Sequence, residues 1–283
     1  MQIAGKTFLS GEYAVLEGGS AITMATKPYF EFSEIQKYNF EKINIHPESA
    51  AGLYLKLKNQ KIENLFLRNS YGVGGFGQST AEFIYTWLKV QKQSWPLAKN
   101  QHLEIYRDYL DLFSENQSIK PSGADLLIQI NSGLSVFKND QSAVVQSMLW
   151  PFKKYEVLIF STGLKVKTHE HLQNLDRKHC RDLIKLSDEV AQSFKDQNCD
   201  QFLLSMKAWV RALQDKGLTH PDILGLMKMM SLQFSDCIFK PCGALGADVI
   251  AVITPLGLRD TLIKYAEVIK LKYQTSSSDL SIF

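Results

Sequence analysis

The residues with the clearest chemical potential form a glycine-rich loop at positions 72–81, Gly-Val-Gly-Gly-Phe-Gly-Gln-Ser-Thr-Ala. Four glycines lead into two hydroxyl residues and then into an apolar helical pattern. Glycines let backbone N–H groups approach an anion without a Cβ atom in the way, and the start of a helix favours negative charge. The pattern therefore predicts a loop that binds phosphate.

The loop matches two general phosphate-binding templates, each incompletely. Three of its glycines satisfy the dinucleotide fingerprint G-x-G-x-x-G, but that fingerprint needs an acidic residue about 20 positions later to hold the ribose. Positions 92–103 contain no Asp or Glu. The loop also resembles a Walker loop, but Gln78 stands where that loop has its phosphate-binding lysine. Each template thus lacks a side chain that its chemistry requires.

The elements around this loop are read from hydrophobic periodicity and turn residues. In the first half we expect strands at 3–9, 29–35 and 53–57, a helix capped by Ser79 or Thr80 that ends near position 92, a helix at 98–114, a strand after Asp125 and a strand at 157–161. In the second half we expect a helix capped by Thr168, helices at 200–214 and 221–234, strands at 237–240 and 249–253, a helix from 258 and a last strand at 271–274. A domain boundary is placed near position 150, where Trp150 and Pro151 interrupt the pattern.

Composition restricts the partners. The chain has 283 residues, and its 32 basic and 29 acidic residues give a net charge of +3, so no broad basic field predicts a nucleic-acid partner. No apolar run is long enough for a membrane span, and the first ten residues do not resemble a signal peptide. The four cysteines form no metal-binding motif, which favours reduced thiols in a cytoplasmic protein.

Four separated segments together resemble the GHMP kinases, the family of galactokinase, homoserine kinase, mevalonate kinase and phosphomevalonate kinase. They are 5–19 (Gly-Lys-Thr-Phe-Leu-Ser-Gly-Glu-Tyr-Ala-Val-Leu-Glu-Gly-Gly), residues 75–81 of the glycine loop, 121–125 (Pro-Ser-Gly-Ala-Asp) and 240–248 (Lys-Pro-Cys-Gly-Ala-Leu-Gly-Ala-Asp). The first and last resemble the mevalonate-pathway branch of the family. They occur in the family's order and span nearly the whole chain.

The resemblance implies a two-domain α+β fold with the active site in the interdomain cleft, an N-terminal domain at 1–150 that carries the glycine loop and a C-terminal domain at 151–283. It implies an ATP-dependent kinase that uses ATP and Mg²⁺ and phosphorylates a mevalonate-pathway intermediate, preferentially 5-phosphomevalonate, with mevalonate as the alternative. The expected partners are therefore small molecules, not nucleic acid or membrane.

The resemblance also assigns roles to individual residues. The expected catalytic residues are Asp125 and Lys6. The expected nucleotide-binding residues are Glu12, Gly75, Gly77, Gln78, Ser79 and Thr80, with Ser79 also on the metal. The expected acceptor-binding residues are Ser122, Gly123, Lys165, Lys167, Gly243 and Ala244.

The chemistry of phosphoryl transfer suits these assignments. Asp125 can orient an acceptor oxygen, and Lys6 can keep that carboxylate ionised and offset charge on the moving phosphoryl group. Lys165 and Lys167 suit an acceptor phosphate or carboxylate, or else belong to a solvated basic turn.

Three residues depart from the family pattern, namely Gln78 in the first loop and Leu245 and Ala247, which replace glycines in the last. They leave open a non-catalytic, nucleotide-binding member of the family. An NAD-dependent enzyme that uses the G-x-G-x-x-G match is the remaining alternative.

Overall fold

Two antiparallel sheets, one built from each half of the chain, organise the fold. The computed structural model describes residues 1–113, 121–138, 145–164 and 175–281. The first sheet contains β1 (Gln2–Ser10), β2 (Ser20–Ser33), β3 (Glu41–Lys42), β4 (Phe66–Asn69), β5 (Leu134–Lys138) and β6 (Gln146–Met148). Its order is β3-β4-β2-β5-β6, with β1 paired to β2, so the long strand β2 is the centre of the first half.

Four helices accompany the first sheet: α1 (Ala50–Leu57), α2 (Gln78–Gln91), α3 (Lys99–Asp111) and α4 (Ala124–Asn131). Large side chains of α1 and α2 supply much of the core, and Tyr54, Phe83 and Trp87 are fully buried there. Because α2 and α4 also pack against each other, the starts of these two helices lie in the same region.

The segment predicted as a strand at 53–57 is instead part of α1, and that prediction is wrong. Its alternating leucines suggested a period of two, but Leu57 is 65% exposed. The buried residues are Ala50, Ala51 and Tyr54, which recur at helical spacing. The Ser49 side chain accepts a hydrogen bond from the Gly52 N–H at 3.2 Å and so caps the helix.

The strand predicted after Asp125 is also wrong, because this segment is α4. Leu126, Leu127, Ile128 and Ile130 are all buried, and a short apolar run of this kind does not distinguish a strand from a buried helix by periodicity. Gly123 precedes the helix in the left-handed conformation, with φ +73°. The α2 helix begins in the same way after Gly77, so neither Ser79 nor Thr80 is its cap.

The second half has the predicted arrangement of helices on an antiparallel sheet. The sheet order is β10 (Lys272–Ser276), β7 (Tyr155–Ser161), β9 (Val249–Pro255) and β8 (Ile238–Cys242). Its helices are α5 (Arg177–Asp182), α6 (Ile184–Lys195), α7 (Cys199–Asp215), α8 (Pro221–Gln233) and α9 (Arg259–Val268). The predicted Thr168 cap lies outside the described residues; α5 is capped by the Asp176 side chain.

The chain passes from the first half to the second near position 150, and backbone hydrogen bonds elsewhere also join the two halves. Near the end of the chain, the Ser281 N–H donates to the Ala25 carbonyl at 2.9 Å, and the Gly133 N–H donates to the Ser281 carbonyl at 2.7 Å. The last described residues therefore pair with the first sheet. Within the described ranges, no helix combines the length and apolar character needed to cross a bilayer.

A buried carboxylate forms a second connection between the halves. Glu17, whose side chain is 10% exposed, forms ion pairs with Arg177 and Arg181 of α5, and the Arg181 distance is 2.9 Å. Burial by itself would raise the pKa of the Glu17 carboxyl, but the hydrogen bonds from Arg181 and Arg177 outweigh it and lower that pKa. The ionised carboxylate therefore stabilises the folded state.

We expect Glu17→Gln to lower the free energy of unfolding by about 1–2 kcal/mol near pH 7, because both arginine hydrogen bonds lose their ionised acceptor. A carboxyl with a lowered folded-state pKa contributes stability above its unfolded pKa and loses it as the pH falls. The difference between parent and variant should therefore shrink below the ordinary glutamate pKa of 4.5. Denaturant titrations across this pH range measure it.

The matched control is Glu189→Gln, which removes an exposed helix pair with Lys185 at 3.9 Å. Its effect on unfolding should be no more than about 0.5 kcal/mol at any pH. Equal effects of the two substitutions would contradict the role assigned to Glu17.

Candidate active site

The two predicted catalytic residues meet in the structure. Lys6 lies on β1 and Asp125 in the first turn of α4, and their Nζ and Oδ2 atoms are 2.9 Å apart. The side chains are 14% and 32% exposed, so the pair is shielded but reaches the surface. The start of α4 further favours a carboxylate at Asp125.

The glycine loop packs directly against this ion pair. The Lys6 N–H donates to the Phe76 carbonyl at 2.9 Å. A Cβ atom at Gly77 would lie 2.8 Å from Lys6 Cγ and 3.0 Å from its Cε, closer than real Cβ contacts. Gly77 also has φ +85°, which disfavours any residue with a side chain. Glycine at this position therefore permits both the start of α2 and the path of the lysine.

The side chains of the first turn of α2 have three different environments. Gln78 accepts from Asn69 Nδ2 at 3.1 Å and donates to Glu82 Oε1 at 2.9 Å, so its amide is engaged with neighbouring residues. Thr80 is buried, and its side chain lies near the Tyr109 hydroxyl. Only Ser79 has an exposed side chain. The predicted nucleotide contacts of Gln78 and Thr80 would thus involve their backbone.

Tyr109 lies near both the first turn of α2 and the Asp125 carboxylate. Burial raises the pKa of its hydroxyl, and the negative charge of Asp125 raises it further, so the hydroxyl stays neutral. Asn69 braces the loop from the other side, because its Oδ1 accepts from the Tyr71 N–H at 3.0 Å. Sequence reasoning missed both residues, since neither belongs to a motif.

The predicted acceptor residues next to Asp125 form a tight turn. Ser122 is buried, and its Oγ accepts from the Ala124 N–H at 3.3 Å. A Cβ atom at Gly123 would lie 2.4 Å from the Tyr106 ring. Both residues therefore set the start of α4. Their contact with an acceptor stays a prediction.

A turn from the second half meets the glycine loop. Asp248 is 8% exposed and lies between Gly75 and Gly243, since a Cβ atom at Gly75 would be 2.6 Å from Asp248 Cβ and one at Gly243 would be 2.3 Å from its Oδ2. Ala244 begins the single helical turn Ala244–Gly246 beside them. The predicted residues Lys165 and Lys167 lie outside the described residues.

The departures from glycine in this turn are accommodated. Leu245 takes a left-handed conformation with φ +50°, which costs a non-glycine residue about 1 kcal/mol. Its carbonyl accepts from the His220 N–H at 2.7 Å, which holds the strained backbone in place. Ala247 is fully buried.

Behind the loop, the fully buried Lys240 crosses from β8 to the first half of the chain. Its ammonium forms an ion pair with Glu12 Oε1 and donates to the Phe8 carbonyl at 3.1 Å. Desolvation alone would lower the pKa of Lys240, but Cys242 and Glu12 outweigh it and raise the pKa, so the ammonium stays charged. The other Glu12 oxygen, Oε2, is buried and has no hydrogen-bond partner among the described residues. The sequence places Lys240 in the segment 240–248 but does not indicate its ion pair with Glu12.

Comparisons with known proteins bear on the fold of the chain. No family model matches the sequence, and no curated protein sequence matches it. Solved structures do match: Streptococcus pneumoniae phosphomevalonate kinase in complex with phosphomevalonate and AMPPNP is similar with a TM-score of 0.68, 14% identity and 98% of each chain covered.

Methanococcus jannaschii mevalonate kinase is similar with a TM-score of 0.67 and 17% identity, and the match covers 98% of this chain and 96% of that one. Lactococcus lactis galactokinase, complexed with galactose, has a TM-score of 0.67 at 11% identity over 100% of this chain and 94% of its own. With such coverage, these matches show that the chain has the two-domain α+β fold of the GHMP kinases.

Proposed function

We propose that this protein is an ATP-dependent phosphotransferase that transfers the γ-phosphoryl group of ATP to a mevalonate-pathway intermediate, preferentially 5-phosphomevalonate. The observation that carries the proposal is the Lys6–Asp125 ion pair, held at 2.9 Å beside the glycine loop at the start of α2. A cation, a carboxylate and free backbone N–H donors in one place suit phosphoryl transfer, which depends mainly on alignment and charge stabilisation.

On the donor side, the glycine loop and the first turn of α2 bind the ATP phosphates. Gly77 caps α2 without a side-chain hydrogen bond, so no cap side chain competes for the first N–H groups of the helix.

The described residues also fit Mg²⁺ bound together with ATP. They contain no group of three or more His, Cys, Asp or Glu side chains that could hold a metal. Mg²⁺ at a nucleotide usually needs only one or two protein oxygens, because phosphates and water supply the rest. The exposed Ser79 hydroxyl is the proposed ligand. The bound ion would neutralise charge on the phosphates.

On the acceptor side, Asp125 orients the attacking oxygen. A phosphate monoester has its second pKa near about 6, so its oxygen is largely ionised at neutral pH and needs little proton abstraction. Lys6 pairs with the Asp125 carboxylate at 2.9 Å and offsets the charge of the transferred group. With an alcohol such as mevalonate, the same carboxylate would have to accept the hydroxyl proton.

The choice of phosphomevalonate rests on the motifs of the mevalonate-pathway branch and on the similarity to a kinase solved with phosphomevalonate. Mevalonate is the second candidate, because the chain is also similar to a mevalonate kinase and its Pro121-Ser-Gly-Ala-Asp segment is common in such enzymes.

We expect ATP consumption with Mg²⁺ to be stimulated most strongly by 5-phosphomevalonate, less by mevalonate and not by galactose. Coupled measurement of ADP release with each acceptor tests this order. A reversed order of the first two would make mevalonate the substrate. Nucleotide binding by calorimetry without turnover on any acceptor would identify a non-catalytic member, and tighter binding of NAD than of ATP would favour the dinucleotide alternative.

We expect Asp125→Asn and Lys6→Met each to lower kcat by at least about 100-fold, because each removes half of the ion pair that aligns the acceptor and stabilises charge. Steady-state kinetics with the best acceptor measures the loss, and circular dichroism checks the fold. The control is Asp111→Asn on the exposed side of α3, which should leave kcat unchanged. Full activity of Asp125→Asn would disprove the mechanism.

Gly77→Ala should lower kcat by about 10-fold or more, because the new methyl group displaces Lys6 and small displacements of aligned groups are costly. Gly217→Ala is the matched control, because Gly217 lies outside the loop and also has a positive φ, +66°, but a Cβ atom there would meet nothing within 4 Å. It should cost about 1 kcal/mol of stability and leave kcat near that of the parent. Equal loss of activity in both variants would mean that backbone strain, not displacement of Lys6, is responsible.

A further inference from the structure

The buried ammonium of Lys240 carries a large desolvation penalty. Its side chain is fully inaccessible, and removal of an ammonium from water costs several kcal/mol, which its partners offset only with good geometry. The partners are Glu12, the Phe8 carbonyl and Cys242 Sγ, the last at 3.6 Å. Glu12 and Phe8 belong to the first half of the chain, so the charge bridges both halves.

The Phe8 carbonyl lies at an irregularity of β1. The pairing of β1 with β2 shifts register between Phe8 and Ser10. At this place two groups of β8 donate to the carbonyl, Lys240 Nζ at 3.1 Å and Cys242 Sγ at 3.4 Å. A bulge weakens the strand ladder locally, and these hydrogen bonds hold the backbone where the ladder is irregular.

Phe8 is also linked to the catalytic lysine. Lys6 and Phe8 are two positions apart on one strand, so their side chains are on the same face. Lys6 Nζ lies 5.0 Å from the centre of the Phe8 ring. Since the Lys6 ammonium contacts both this ring and Asp125, the position of the Phe8 backbone affects the direction of the lysine.

Attachment of the two halves does not by itself require Lys240. The Glu17 ion pairs and the hydrogen bonds of Ser281 also join them. A buried ion pair is often no more stabilising than apolar residues of the same size. The presence of Lys240 is therefore better explained by the geometry that its ion pair imposes.

We propose that Lys240 is a positioning residue for phosphoryl transfer: it holds Phe8 and Glu12 so that Lys6 stays aligned with Asp125 and the glycine loop. The inference rests on the proposed function for its kinetic consequence. Its structural part, the ordering of β1 by Lys240, does not depend on any substrate.

The first experiment measures hydrogen exchange of peptides that cover residues 2–13 in the parent and in Lys240→Met. Exchange in these peptides should accelerate by about 10-fold or more, because the Phe8 carbonyl at the register shift loses its hydrogen bond from Lys240. The control is Lys216→Met, which removes an ion pair with Asp182 at 2.8 Å, away from β1. It should leave these peptides unchanged. Unchanged exchange in Lys240→Met would overturn the inference.

The second experiment measures kcat and the KM for ATP well below the unfolding temperature of each variant. In Lys240→Met we expect kcat to fall by about 10-fold or more while KM changes by less than about threefold, because alignment is lost but the phosphate-binding amides remain. A purely structural role would lower the unfolding temperature and leave kcat of the folded protein intact, which would also overturn the inference.

Lys240→Met leaves Glu12 buried without its cation and could prevent folding, so Lys240→Met/Glu12→Gln removes both charges. Its kcat should be about 10-fold or more below that of Glu12→Gln alone, which keeps the Lys240 contact with Phe8. Failure of the double variant to fold would show a need for Lys240 in folding itself and overturn the positioning role. If the parent turns over no acceptor, the proposed function fails, and the exchange experiment still decides whether Lys240 orders β1.

Discussion

The ion pair between Lys6 and Asp125 is the interaction on which the rest of the site depends. It needs a strand that carries a cation, a helix that begins just before a carboxylate, and a loop without side chains between them. Gly77 meets the last condition, since a Cβ atom there would collide with Lys6. The ion pair therefore requires β1, α2 and α4 to approach closely. The packed cores of both sheets keep these elements in place.

Polar groups are buried where the two halves meet, and they are paired there. Glu17 is held by two arginines, and Lys240 by Glu12 and a carbonyl group. Each pair joins residues that are far apart in the chain, so it forms only when the halves are packed together. The Oε2 atom of Glu12 is an exception, because it is buried and has no hydrogen-bond partner among the described residues.

Two of the departures from the family pattern, Gln78 and Leu245, have physical explanations in the structure. Gln78 is accommodated because its side-chain amide forms hydrogen bonds with Asn69 and Glu82. Leu245 keeps a left-handed turn at a modest energetic cost while its carbonyl is held by His220. These substitutions are therefore compatible with a folded site that keeps its backbone amides.

Long elements with a clear period were predictable from sequence. The helices α7 and α8 and the central strands β7 and β9 lie where the pattern placed them. The short segments α1 and α4 were predicted as strands but are helices. The alternating leucines of α1 and the continuous apolar run of α4 are each compatible with a strand or a helix, and only packing decides which residues are buried. In the same way, Ser79 and Thr80 suit a helix cap by type, but the left-handed Gly77 caps the helix two residues before Ser79.

The sequence by itself determined the chemistry that this protein can support: a glycine loop for phosphate, a lysine and an aspartate in recognisable segments, and a small-residue turn in the second half. Only the tertiary structure decided which of these groups meet. It placed Lys6 against Asp125, turned the Gln78 and Thr80 side chains toward protein partners, and brought Lys240 to Phe8 and Glu12. Residue type and local spacing are encoded along the chain, whereas contacts between distant segments depend on how two cores pack and on which buried charges find partners.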